Sequence, residues 1–158
     1  GKSLAFVNPF LKLPVIADAQ YPVIEEAFLQ KSGKIIPLST STVITEGTYS
    51  VYVRAQDFRN KMGKNRGFLP HDIAISINNQ TVGHIVYDLI VTEDNETVLG
   101  ADRKRLFELY KDGEIYTDTI HFTDIKFSAG SAMLGIRVKD FSGNSIEETI
   151  IVVVKAQQ

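Results

Sequence analysis

Between Gly47 and Asp57 the chain changes character at nearly every step, with Tyr49, Val51, Val53 and Ala55 on one side and Ser50, Tyr52, Arg54 and Gln56 on the other. Successive side chains of a strand point to opposite faces, so a period of two predicts a strand with one buried face. The pattern returns at Ile73, Ile75 and Ile77, where Ala74 and Ser76 turn away, and again at Leu134, Ile136 and Val138. The expected core is the inward set: Tyr49, Val51, Val53, Ile73, Ile75, Ile77, Leu134, Ile136 and Val138.

Turn residues separate these runs. Asn78-Asn79-Gln80 closes a tight hairpin, because Asn tolerates the positive φ such turns require, and 81–87 returns antiparallel. Asp140-Phe141-Ser142-Gly143-Asn144 is the hairpin turn before a last strand over 145–154. A first strand is expected over 23–29 and a short edge piece over 35–38, since Pro37 has no donor for a central ladder. Further strands are expected over 114–117 and 120–127. Leu106, Leu109 and Tyr110 sit at helical spacing and predict one short helix near 102–111, capped by Asp102. Residues 1–22 hold Pro9, Pro14 and Pro22 without a sustained period and read as an extended approach segment or linker. The pattern opens at Val23, and 23–158 forms one domain.

Strands recurring every ten to fifteen residues, with no long helix between them, favour an antiparallel sandwich over parallel crossover units. Composition agrees: Ile, Val and Thr number 17, 14 and 11, against 10 Ala and 11 Leu. Side chains branched at Cβ are stiff and fit a pleated surface. The fold class expected is all-β, an antiparallel immunoglobulin-like sandwich of seven or eight strands.

Charge and chemistry narrow the function. The 158 residues carry 17 basic and 19 acidic side chains with a net charge of −2, too balanced for a nucleic-acid binder. No apolar run approaches the ~20 residues of a spanning helix. The absence of cysteine excludes disulfides, thiolate zinc and thiol catalysis. His84-Ile85-Val86-Tyr87-Asp88 fits an H-x-x-x-D metal spacing, yet on a regular strand four residues span about 13 Å, too far for two side chains to share one ion. Asp57, Asp94, Asn95, Asp140 and Asn144 are oxygen-bearing loop residues that suit calcium if they gather at one pole. Their other role is to stabilise turns through their own backbone. Tyr52, Tyr116 and Phe58 are candidates for a stacking platform. The cationic loop residues Arg59, Lys61, Lys64 and Arg66, with Phe68, and the run Arg103, Lys104 and Arg105 are the candidate partner-binding positions, or else solvated faces.

Three stretches together carry a family resemblance. Gly47 to Asp57 resembles the G-x-Y-x-V-x-V-x-A-x-D strand of bacterial Ig-like domains. Pro70 to Asp88 is similar to their isoleucine-alternating strand and turn. Val138-Lys139-Asp140-Phe141-Ser142-Gly143-Asn144 matches their V-x-D-x-S-G-N hairpin. With Val7-Asn8-Pro9-Phe10 and Tyr21-Pro22-Val23-Ile24 ahead of them, the order over about residues 7–154 resembles the Ig-like accessory region that accompanies M23-family zinc peptidases. That resemblance implies a periplasmic or cell-envelope module without catalytic residues, metal or other cofactor. Zinc ligands of that family lie in a separate domain, and His84 and Asp88 lack the family glycine and an H-x-H partner. The implied role is to position or regulate a neighbouring peptidase domain of the same chain. The alternative is an independent adhesion or glycan-binding module, with cell-wall glycan or peptide as partner. Gly1-Lys2-Ser3 shows no leader pattern, so any export signal is expected upstream.

Overall fold

The structure is a computed structural model and describes residues 4–7, 12, 18–58, 67–93, 96–99, 104–109 and 119–157. Within these the chain forms β1 (Leu4–Val7), β2 (Val23–Lys31), β3 (Lys34–Pro37), β4 (Ser41–Thr45), β5 (Gly47–Gln56), β6 (Asp72–Ile77) and β7 (Gln80–Val86). There follow β8 (Leu89–Glu93), β9 (Glu96–Leu99), β10 (Lys104–Arg105), β11 (Thr119–Phe127), β12 (Gly130–Lys139) and β13 (Ser145–Lys155). One leaflet runs β11-β5-β2-β3 and the other β4-β13-β12-β6-β7, while β1-β8-β9-β10 form a small third sheet. Pairing is antiparallel except between β4 and β13, which run parallel. The fold is an all-β, immunoglobulin-like sandwich.

The two inner faces make the core. Leu29, Val51, Val53 and Ile120 of the first leaflet face Ile73, Ile75, Leu134, Ile136, Val138 and Val152 of the second, all with 0% exposure. Burying such a side chain stabilises by about 1.5–3 kcal/mol, so these positions dominate the favourable side of folding. Of the expected core residues, only Ile77 falls short of full burial, packing half-buried against the cluster at the end of β6. Gly83 lies opposite Ile75 on β7, where a Cβ would meet the buried Phe122 ring of the other leaflet at 2.6 Å. Glycine is needed there because the leaflets touch.

Local chemistry sets the ends of several elements. Asn78 and Asn79 adopt φ of 50° and 66°, the left-handed pair of a two-residue hairpin turn, so Gln80 already belongs to β7. Pro37 closes β3 at a leaflet edge, as its missing donor requires. A bulge between Ile24 and Glu26 brings both Glu25 and Glu26 to Arg54, at 3.5 and 3.3 Å.

Several expectations are corrected. Nine strands rather than seven or eight build the two leaflets. The short helix near 102–111 is instead a 3-10 turn, Leu106–Leu109, entered directly from β10. Four residues make one narrow turn, too short for a helical stripe, and its last residue, Leu109, is buried. Ala74 is buried although it faces outward. The stretch 1–22 contains a paired strand, since Leu4–Val7 lies antiparallel to β8. The expected strand over 114–117 lies outside the described residues.

Candidate functional site

Among the described residues a dense polar cluster sits at one pole of the sandwich, where β2 begins and the β12–β13 turn closes. Asp140 is 1% exposed and Asp57 3% exposed, and both occupy strand ends beside the apolar core. Asp140 organises its own turn. Its Oδ1 accepts from the Asn144 backbone N–H at 2.8 Å, and its backbone N–H donates to the Asn144 carbonyl at 2.9 Å. That is the bonding by which Asp commonly fixes a turn.

Asn144 extends this turn to a distant part of the chain. Its Nδ2 donates to Asp140 Oδ2 at 2.6 Å and lies 3.0 Å from the carbonyl oxygens of both Asp18 and Gln20. Three acceptors thus converge on a nitrogen with two hydrogens. The set fixes the amide orientation, because the opposite flip would set an oxygen against three oxygens. Asp18 Oδ1 in turn accepts from the Gln20 N–H at 3.1 Å. The segment before β2 is therefore clamped, through its backbone carbonyls, to the Asn144 side chain of the final hairpin more than a hundred residues away in sequence.

One carboxylate oxygen from each of Asp18, Asp57 and Asp140 lies within 4.8 Å of the others. These are the residues that could hold a hard cation, and oxygen donors of this kind suit calcium. Of the three, Asp140 is already served by donors, the Asn144 backbone N–H at its Oδ1 and the Asn144 amide at its Oδ2. Asp57 and Phe68 exchange backbone hydrogen bonds at 2.8 and 2.9 Å, closing the loop between them and presenting Phe68 at 38% exposure.

Two histidine–carboxylate pairs complete the pole. His71 Nε2 lies 2.6 Å from Asp88 Oδ1, and its ring packs on Phe141 at 4.3 Å. His84 Nε2 lies 3.1 Å from Asp72 Oδ2, and Arg137 reaches the other oxygen of Asp72 at 3.7 Å. His84 and Asp88, joined by the H-x-x-x-D spacing, thus face different partners.

The other sequence candidates separate. Tyr52 is 7% exposed and stacked between Phe28 at 4.7 Å and His121 at 4.4 Å, the three lying directly across neighbouring strands. Both faces of the Tyr52 ring are occupied, so it offers no platform to a sugar. Phe58 is half-buried. Lys104 sits in β10 opposite Leu99, and Arg105 lies 3.8 Å from Glu108. Arg59, Lys61, Lys64, Arg66 and Arg103, with Asp94, Asn95 and Tyr116, lie outside the described residues. Sequence reasoning named Asp57, Asp140 and Asn144 but missed Asp18 and Gln20, whose contribution is mostly backbone and carries no residue signature.

Among solved structures the chain is similar to the crystal structure of CopC from Methylosinus trichosporium OB3b, at 13% identity and a TM-score of 0.36, over 76% of this chain and 88% of that one. No curated protein matches the sequence. A family model matches residues 21–155, from just before β2 to the end of β13, and the chain belongs to the family which that model describes.

Proposed function

We propose that this chain is a non-catalytic immunoglobulin-like module that holds the segment before its sandwich in a fixed orientation relative to whatever follows it. The observation that carries the reading is the path of the chain. It enters β2 beside the clamped Asp18–Gln20 segment, and it leaves β13 at the opposite pole, where Lys155 pairs with Thr45. The 11 residues of β13 span the molecule between the two poles, roughly 33 Å. Entering at one end and leaving at the other suits a spacer between neighbours, and the Asn144 clamp suits a spacer that transmits orientation. The sequence resemblance to the accessory region of M23-family peptidases supports a cell-envelope peptidase domain as the neighbour in this reading.

Cysteine-free sequence permits a direct test. Nitroxide labels on Gln20→Cys and Ala156→Cys should give one narrow distance distribution by pulsed electron resonance, and Asn144→Ala should broaden it. A broad distribution in the parent protein would overturn the reading. Hydrolysis of a muropeptide by this chain alone would contradict the non-catalytic role, and co-sedimentation with insoluble peptidoglycan would favour the adhesion alternative.

A further inference from the structure

At the exit pole a groove of about 480 Å³ opens on the side of the sandwich where the chain crosses from β3 to β4. Its walls include Val43 and Ile44, consecutive residues of β4. Val43 is 54% exposed and Ile44 only 4% exposed, so their side chains leave the strand on opposite faces. A cavity can touch both only by running along the strand's edge, where the backbone is. Ile36 of β3 and the buried Tyr49 complete the apolar lining.

That edge is unpaired. β4 is the terminal strand of its leaflet and β3 of the other. The Ile151 N–H donates to the Thr40 carbonyl and the Glu46 N–H to the Lys155 carbonyl, so the even-numbered residues of this stretch bond to β13. In a parallel ladder the alternate residues face away, which turns the backbone N–H and C=O of Val43 towards the groove. The Thr45 carbonyl, on the same side, accepts from the Tyr49 hydroxyl at 2.7 Å. Among the described residues nothing pairs with the Val43 groups.

Charge selects the occupant. Lys31, Lys34 and Lys155 line the groove, and among the described residues no carboxylate does. Lys31 is held by the Glu46 carbonyl at 2.9 Å and lies over the Tyr49 ring, which leaves Lys34 and Lys155 as the cations available at the rim. We propose that this edge binds an extended acidic peptide segment, which adds to β4 as a further strand and sets carboxylates against Lys34 and Lys155. Main-chain bonds to an exposed edge supply affinity in such sites and alternate side chains supply selectivity. The inference is independent of the orienting role.

The probe is acetyl-Glu-Val-Glu-Val-Glu-amide, titrated into the isotope-labelled protein at low salt. The expected result is saturable shifts of the amide resonances of 41–45 and 34–36, absent with the Lys-Val counterpart. Methylating alternate backbone nitrogens of the peptide should abolish binding. Lys34→Glu with Lys155→Glu should weaken it at least tenfold while the unfolding midpoint stays unchanged, both residues being exposed. No shift at millimolar peptide would overturn the proposal. Equal shifts with free poly-glutamate and with the methylated peptide would also overturn it, reducing the site to an anion patch. The same amide shifts appearing on concentration alone, with a dimer in solution, would assign the edge to a second copy instead.

Discussion

Removing the Asn144 side chain is the sharpest test of how the entrance pole is held. In Asn144→Ala the backbone bonds of the turn survive, but Asp140 Oδ2 and the Asp18 and Gln20 carbonyls lose their common donor. Two amide hydrogens limit the loss to two full hydrogen bonds. One goes to a carboxylate, worth about 1.5–3 kcal/mol, and the other to carbonyls, worth about 0.5–1.5 kcal/mol. Gln20 is exposed, so water restores part of the second term, while Asp140 is sealed and water cannot replace the first. The expected destabilisation is about 2–4 kcal/mol, read as a lower midpoint at constant slope in urea unfolding. Asn144→Asp should be worse at low salt, because it adds a carboxylate beside Asp18, Asp57 and Asp140, and should recover partly as salt screens the repulsion. A loss below ~0.5 kcal/mol for the alanine variant would refute the clamp, since the amide would then be an ornament of a turn that closes without it.

Other outcomes follow from the same structure. Gly83→Ala should cost about 1–3 kcal/mol in the same assay, because the added methyl meets the buried Phe122 ring and one leaflet must shift. Asn79→Gly should be neutral or stabilising and Asn79→Ala destabilising, since φ is 66° there; equal effects would contradict the turn geometry. Calcium at 10 mM should leave the melting midpoint unchanged, because both oxygens of Asp140 already accept from Asn144. A site with a Kd of 1 mM would add about 1.4 kcal/mol, and a rise of about 3–6 °C on that account would show that the acidic cluster takes an ion.

Much of this architecture was legible in the order of residues. Alternation at Tyr49–Ala55, Ile73–Ile77 and Leu134–Val138 marked strands and their buried faces, because the side-chain period of a strand is a local property of the backbone. Asn78-Asn79 and Asp140–Asn144 marked turns for an equally local reason, the conformations and self-bonding of Asn and Asp. Pro37 marked an edge by the donor it lacks. Ser41–Thr45 also alternates, with Thr42 and Ile44 buried, yet nothing local announces that it runs parallel to β13 from the far end of the sequence. Tyr52 read as an outward residue and does point outward, but Phe28 and His121 bury it through pairings set by register between separate strands. The convergence of Asp18, Gln20 and Asp140 on Asn144, with Asp57 close by, was settled only when the leaflets closed, as was the unpaired β4 edge along its lysine-rimmed groove. Such meetings join groups up to 126 positions apart, some of them backbone carbonyls that every residue possesses. Periodicity fixes which way a side chain points; closure of the two sheets decides what it meets.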